Sequence, residues 1–352
     1  MREIAISARE AGQRLDKYLA KYLPEAPKSF LYKMLRKKNI TLNGKKAAGG
    51  EKLEEGDDIK LFLSEDTIGK FRGGLAPSQN LGDGSRPEEN REVNPAIGKQ
   101  MPSLDIVYED EELLVVNKPA GMLSQRAGRE DVSLVEHIGG YLSREDGDML
   151  SGGFRPGICN RLDRNTTGLV VAGKTVRSLQ YMNRLFKERE LKKSYLCLVR
   201  GKVPGRMHAR GYLVKDGRHN RVEVVQDRAA GAVAIETAYT PLEHALWRGE
   251  WHTLLKVHLI TGKSHQIRAH LQSLGHPVAG DGKYGGKDSC HAFRKAFGLR
   301  YQLLHAWQLR LGDAPYLPEQ YRGMCLEAPL PELFRDILLE MGMEFPRLER
   351  KE

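Results

Sequence analysis

Apolar residues recur at Leu15, Tyr18, Leu19, Tyr22 and Leu23, a spacing of three and four that predicts one buried helix face, and Pro24 ends it. Ser29 is placed to cap a second helix, in which Leu31, Met34 and Leu35 face inward while Lys33, Arg36, Lys37 and Lys38 line the remaining surface. The period then shortens. Ile40 and Leu42 alternate with polar neighbours up to the hairpin signal Asn43-Gly44, and Ile59, Leu61 and Leu63 form a later strand. From Thr67 to Ser103 the periodic apolar positions give way to Gly, Pro, Ser and Asn, which predicts a flexible linker. Beyond Leu104, runs of strand composition such as Leu169-Val170-Val171 and Tyr195 to Val199 recur between helical stretches such as Leu179 to Phe186, as far as about Arg347. The expected class is therefore α+β. A small N-terminal α/β domain spans 1–66, a linker 67–103, and a larger domain 104–347, with a mixed, mostly antiparallel sheet and flanking helices.

Composition agrees with two domains: 352 residues exceed the roughly 100 to 200 of one domain, and 40% are hydrophobic, enough for real cores. Charge narrows the partner. Lys and Arg number 56 against 46 Asp and Glu, a formal +10, so the field attracts polyanions. The excess is concentrated, because Lys28 to Lys46 holds seven basic residues and no acidic one, whereas a merely solvated face mixes both signs. Lys33, Arg36, Lys37 and Lys38 are accordingly expected to contact RNA phosphates. Glu3, Glu10 and Asp16 interrupt the start of the chain, which has neither a signal-like nor a spanning apolar run, so a cytoplasmic protein with no membrane partner is expected. Cys159, Cys197, Cys290 and Cys325 form no C-x-x-C pair and read as reduced thiols.

Two patterns invite other chemistry. Gly168 to Thr175 fits the phosphate-loop formula G-x-x-x-x-G-K-[ST], yet Leu169 to Ala172 has the apolar, β-branched composition of a strand, and the polar segment Arg155 to Thr167 leaves no room for the strand that must precede such a loop. His252, His258, His265, His270 and His276 cluster in sequence, but no pair has the i, i+4 spacing that aligns imidazoles on a helix, and Asp281 is the only carboxylate within this stretch and just after it. Neither a nucleotide cofactor nor a metal is expected.

The informative segment is Asn160-Arg161-Leu162-Asp163-Arg164-Asn165-Thr166-Thr167-Gly168-Leu169. Positive neighbours favour an ionised carboxylate, which is a competent nucleophile. The segment resembles the motif H-R-L-D-R-x-T-S-G-L of the RluA-like pseudouridine synthases. In the same order, Asn117-Lys118-Pro119-Ala120-Gly121 fits that family's N-K-P-A-G, Lys193-Ser194-Tyr195 its K-x-Y, Gly262 to Leu271 with Gly275 to Asp281 its long H-Q-I-R block, and Leu304-His305-Ala306 its closing L-H-A. Asn160 stands where the family usually has His, and Lys263 where it usually has Arg. The front of the chain is similar to the RNA-binding domain named after ribosomal protein S-four over about residues 11–63, through Arg14-Leu15-Asp16, Ser29, Asn43-Gly44 and Gly56-Asp57-Asp58-Ile59.

The resemblance implies an isomerase that breaks the glycosidic bond of a uridine in RNA, rotates the uracil and rejoins it through carbon 5, with no cofactor. It implies Asp163 as nucleophile, Arg268 as the guanidinium that orients it, and Tyr195 as the ring that stacks on uracil and assists proton transfer. Arg161 and Arg164 are placed to fill the space the flipped base leaves or to hold phosphate, and Lys193 to line a basic wall. The expected partner is large-subunit ribosomal RNA and the expected state a monomer. Transfer RNA as substrate, or a non-catalytic RNA-binding role in ribosome assembly, are the alternatives.

Overall fold

A computed structural model describes residues 1–72, 103–128, 130–145, 154–216, 221–228 and 230–346, so most of the expected linker, 73–102, lies outside the described residues. The chain divides into two compact units. One comprises Met1–Leu104 with Glu136–Gly157 and Gly173–Gln180; the other comprises Asp105–Val135, Ile158–Ala172 and Tyr181–Glu352. Two stretches of the expected larger domain thus group with the first unit, because compactness follows neighbours in space and periodicity follows neighbours in sequence.

The first unit begins with β1 (Arg2–Ala5), α1 (Leu15–Tyr22), α2 (Lys28–Arg36), β2 (Ile40–Leu42), β3 (Lys45–Lys46), β4 (Asp58–Leu61) and α3 (Glu65–Arg72). Its strands form an antiparallel sheet in the order β1-β4-β2-β3, with Arg2 opposite Leu61 and Ile40 opposite Leu61 on the other side. The helical stripe of α1 is buried as its spacing requires, and Leu15, Leu19 and Leu23 pack with Leu31, Leu35, Ile40, Ile59 and Leu61 in one core. Each such side chain contributes roughly 1.5–3 kcal/mol by leaving water. Asn43 and Gly44 both take positive φ, 50° and 72°, the left-handed pair that the tight hairpin between β2 and β3 needs.

Three local details differ from expectation. α2 starts at Lys28, and Pro27, at φ −59° and ψ 141°, takes the cap position with no side-chain cap, so Ser29 lies within the first turn. Residues 67–72, read as linker, complete α3, because Ile68 is buried and Phe71 packs against the same core. β1 is too short and too polar to show an alternation of its own; it is held by its pairing with β4.

The remaining elements are β5 (Ile106–Glu109), β6 (Leu113–Lys118), α4 (Leu134–Glu145), β7 (Gly157–Ile158), β8 (Thr167–Gly173), α5 (Val176–Glu188), β9 (Leu191–Arg200), β10 (Met207–Asp216), β11 (Arg221–Val225), β12 (Val233–Trp247), β13 (Glu250–Leu259), α6 (Gln266–Ser273), α7 (Lys287–Phe297), β14 (Leu304–Leu311), β15 (Cys325–Glu327) and α8 (Glu332–Glu340). The large sheet runs β11-β10-β12-β13-β9-β14-β8-β6-β5, with β15 beside β14 and β7 beside β8. β8 pairs with β14 in parallel, whereas β9 is antiparallel to both β13 and β14. The sheet is mixed and mostly antiparallel, and with its helices the fold is α+β.

The two faces of the sheet support separate cores. Leu169 and Val171 of β8 pack with Leu113, Val115 and Leu309, while Leu196 and Leu198 of β9 pack with Leu254, Phe293, Phe334 and Ile337. Every residue of β8 is buried, so the phosphate-loop formula falls on a core strand and not on a loop. Gly168, at φ 108°, crosses β14 so closely that a Cβ would lie 2.3 Å from the Ala306 carbonyl oxygen. Its glycine is needed for strand contact.

Candidate active site

The segment 160–167, which feeds β8, is held by side chains from four other parts of the second unit. Ser124 Oγ donates to the Leu162 carbonyl at 2.9 Å and accepts the Leu162 amide at 3.0 Å. Lys118 is wholly buried at the end of β6, and its Nζ donates to the carbonyls of Pro119, Met122 and Arg164 at 2.9, 2.9 and 3.0 Å. Burial drives its pKa down to about 7 against the opposing pull of Asp163. Gln302 donates to Thr166 Oγ1 at 3.1 Å. His305, pushed down to about 4 by burial and therefore neutral, gives its Nε2 proton to the Ala328 carbonyl and accepts from Thr167 Oγ1 at 2.8 Å.

Asn160, the departure from the resembling motif, binds the backbone of β8 itself. Its amide donates to the Leu169 carbonyl at 3.0 Å and accepts the Val171 amide at 2.9 Å. The side chain is therefore engaged in shaping the loop, a role that needs one donor and one acceptor.

These supports place Asp163 on the wall of a cavity of about 990 Å³, together with Arg161, Arg164, Lys193, Tyr195 and Arg268. Sequence segments 105 residues apart meet here: Arg268 Nη1 donates to Asp163 Oδ2 at 2.8 Å. The other edge of the guanidinium is gripped by Asp281, through Nε to Oδ2 at 2.7 Å and Nη2 to Oδ1 at 2.9 Å. Asp281 also accepts the amides of Lys283 and Tyr284. Exposure separates the two carboxylates, since the side chain of Asp163 is 24% exposed and that of Asp281 0%. Asp281 can only hold Arg268, whereas Asp163 can reach a ligand.

Burial opposes the charges of Arg268 and Asp281, and their pairing overrides it. The bonds to Asp281 and the fields of both carboxylates raise the Arg268 pKa above its ordinary value, and Arg268 in turn lowers that of Asp281. Tyr195, buried on β9 between Val257 and Ala306, has its pKa raised first by burial and then by the charge of Asp163, so its phenol keeps its proton. Burial lowers the Lys193 pKa, with Arg189 adding to the shift. Arg161 and Arg164 are exposed, and Arg161 reaches Gln125 at 3.3 Å. The ion-pair partner of Asp163 is thus Arg268 and not one of the flanking arginines. Around the cavity, Arg126, Arg189, Lys263 and Lys283 add positive charge, and Asp163 is the single carboxylate on the described lining. Lys33, Arg36, Lys37 and Lys38 lie in the first unit, exposed on α2 and just beyond its end.

The site includes residues that sequence reading did not assign. Lys118 and Asp281 lay inside quoted motifs, and a lysine or aspartate embedded among apolar and glycine positions was the available sign of a buried charge. Ser124 and Gln302 had none, since each acts through a contact more than thirty residues away in sequence. The clustered histidines scatter: His252 packs against Trp247 and Phe293, His270 bonds Thr237, and His276 bonds the Arg200 carbonyl.

A reachable carboxylate, paired with a buried guanidinium beside a phenol inside a basic cavity, is an arrangement suited to chemistry on a polyanionic substrate. Residues 112–273 match the family described as RNA pseudouridylate synthase, and residues 13–59 match the S4 domain. The chain is 29% identical over 332 residues to ribosomal large subunit pseudouridine synthase C of Escherichia coli, covering 94% of this chain and 93% of that one. It is 30% identical over 344 residues to ribosomal large subunit pseudouridine synthase D of Neisseria meningitidis, covering 95% and 81%. In fold it is similar to human RNA pseudouridylate synthase domain containing 4, with a TM-score of 0.53 and 23% identity over 69% of this chain and 94% of that chain. The chain belongs to the RNA pseudouridylate synthase family and is an isomerase with an additional RNA-binding domain of the S-four type. No helix among the described residues is long and apolar enough to cross a membrane.

Proposed function

We propose that this enzyme isomerises uridine in large-subunit ribosomal RNA, in the cytoplasm, with Asp163 as the nucleophile. The observation that supports the role of Asp163 is the shared guanidinium: Arg268 is fixed by a wholly buried carboxylate on one edge and presents its remaining Nη1 to the one carboxylate that reaches the cavity. The substrate follows from the names of the relatives matched over nearly the whole chain, both of which are large-subunit enzymes.

In the reaction the bond between ribose C1′ and N1 breaks and a bond between C1′ and C5 forms, while C5 loses a proton and N1 gains one. Nothing is oxidised or hydrolysed. Asp163 attacks the nucleotide and Arg268 acts as the positioning residue that aims it. Tyr195 offers its ring as a stacking face. Its hydroxyl, kept protonated by burial, passes a proton on only as it receives another. The basic walls, including Arg161, Arg164 and Lys193, hold the phosphates of the flipped nucleotide, and Lys33, Arg36, Lys37 and Lys38 of the residue 1–66 domain add affinity for neighbouring RNA. The larger catalytic domain, 104–347, supplies the chemistry. Mapping pseudouridine in ribosomal RNA from cells with and without the gene tests this reading: at least one large-subunit position should revert to uridine, and an unchanged large-subunit map would overturn the substrate.

A further inference from the structure

His265 precedes α6 at φ 55° and ψ 13°, in the left-handed region that residues other than glycine seldom occupy. Such a conformation persists where its surroundings impose it, and the next six residues, Gln266 to Leu271, are all buried. It brings His265 Nδ1 to 3.0 Å from the hydroxyl of Tyr284, with the two rings edge to face. Tyr284 is fixed in turn, because the guanidinium carbons of Arg221 and Arg268 lie 5.0 and 5.1 Å from its ring centre.

The polarity of this chain of contacts favours one place for the imidazole proton. The Val222 amide donates to the Tyr284 hydroxyl at 3.0 Å, and an amide can do nothing else. The phenol, already an acceptor on that side, has its own proton to give, and His265 Nδ1 is the partner within reach. A ring nitrogen that accepts is unprotonated, so a neutral imidazole then holds its proton on Nε2. His265 lines the cavity, and its Nε2 has no hydrogen-bond partner among the described residues. Burial, Arg268 and Lys283 favour the neutral ring, while Asp163 and Asp281 oppose them.

We propose that His265 is a further substrate-binding residue, a neutral imidazole that offers its Nε2 proton to an acceptor oxygen of the nucleotide in the cavity, with Tyr284 as the positioning residue that sets the tautomer. This rests on the reading that the cavity receives the target uridine. The oxygen belongs either to a uracil carbonyl, which cytosine partly replaces by an amino donor, or to the flanking phosphate.

Nitrogen-15 spectra of the full chain with labelled histidine read the tautomer directly. The expected result is a protonated Nε2 and an unprotonated Nδ1 for His265, assigned through His265→Gln, with the preference lost in Tyr284→Phe; a protonated Nδ1 in the wild type overturns the proposal without any variant having to fold. In kinetics, His265→Leu should lower kcat/KM about tenfold to a hundredfold, the cost of one unmade hydrogen bond. His265→Gln, whose amide can donate from the same place, should recover most of it, and Gln no better than Leu overturns the proposal. If His265→Leu binds uridine and cytidine RNAs with equal affinity where the wild type prefers uridine, the oxygen is the carbonyl; if both weaken in proportion, it is the phosphate. Full activity of His265→Leu with an inactive Asp163→Asn defeats this inference alone, whereas an active Asp163→Asn defeats the proposed function.

Discussion

Arg268 meets Asp163 at 2.8 Å through a single nitrogen, while its other two are locked to the buried Asp281. The asymmetry leaves Asp281 holding the guanidinium and Asp163 open to the cavity. It also makes the two aspartates behave differently under substitution.

Asp163→Asn keeps the size and polarity of the side chain and removes the charge of the proposed nucleophile. Turnover should fall on the order of 10³-fold or more, as happens when a nucleophile is removed. RNA affinity should persist, because it comes from the basic walls. Pseudouridine formation and filter binding on the same RNA check both halves.

Asp281→Asn should instead damage stability as well as activity. Leaving a buried guanidinium without its paired carboxylate costs about 3–5 kcal/mol. The pKa of Asp281 is lowered in the folded state, so its contribution is complete above the ordinary carboxylate range and is lost as pH falls through the folded value. Urea denaturation should show a lower midpoint for the variant near neutrality and a smaller difference from wild type in acid.

Lys118 titrates in the opposite sense from an ion-paired lysine. Its folded pKa of about 7 lies below the ordinary 10.5, so between these values the unfolded chain binds more protons and stability rises with pH. The slope is at most about 1.4 kcal/mol per pH unit. Lys118→Met should abolish that slope. It also strands the carbonyls of Pro119, Met122 and Arg164, loosening the loop of Asp163, so activity should fall at every pH. Thermal melts from pH 7 to 10 with parallel rate measurements decide this.

RNA binding by the first unit should be electrostatic. Replacing Lys33, Arg36 and Lys37 together by Gln should flatten the plot of log affinity against log salt by about 0.7 for each single-strand phosphate contact removed. An unaltered slope would place the phosphate contacts elsewhere.

Much of this architecture was legible along the chain. The α1 stripe, the Asn43-Gly44 hairpin and the strand character of Leu169 to Ala172 are local facts, fixed by side-chain period, turn conformation and branching, and each appears where its spacing put it. Asp163, Tyr195 and Arg268 were named as the reacting group from ordered motifs, and they do line one cavity. Where prediction missed locally, the deciding contact was remote: Phe71 and Ile68 extend helix into the supposed linker because a core awaits them.

What the sequence by itself determined, then, is the set of elements and the identity of the chemical groups, because both depend on residue types and near neighbours. The partnership of those groups was decided by the tertiary structure. Two arginines lie within two residues of Asp163 in sequence, yet its ion-pair partner comes from α6, 105 residues on, and Asp281, Lys118 and Ser124 acquire their tasks only when the strands bring them together. Hydrogen bonds and ion pairs act over about 3 Å, and which atoms come that close is a property of the folded sheet.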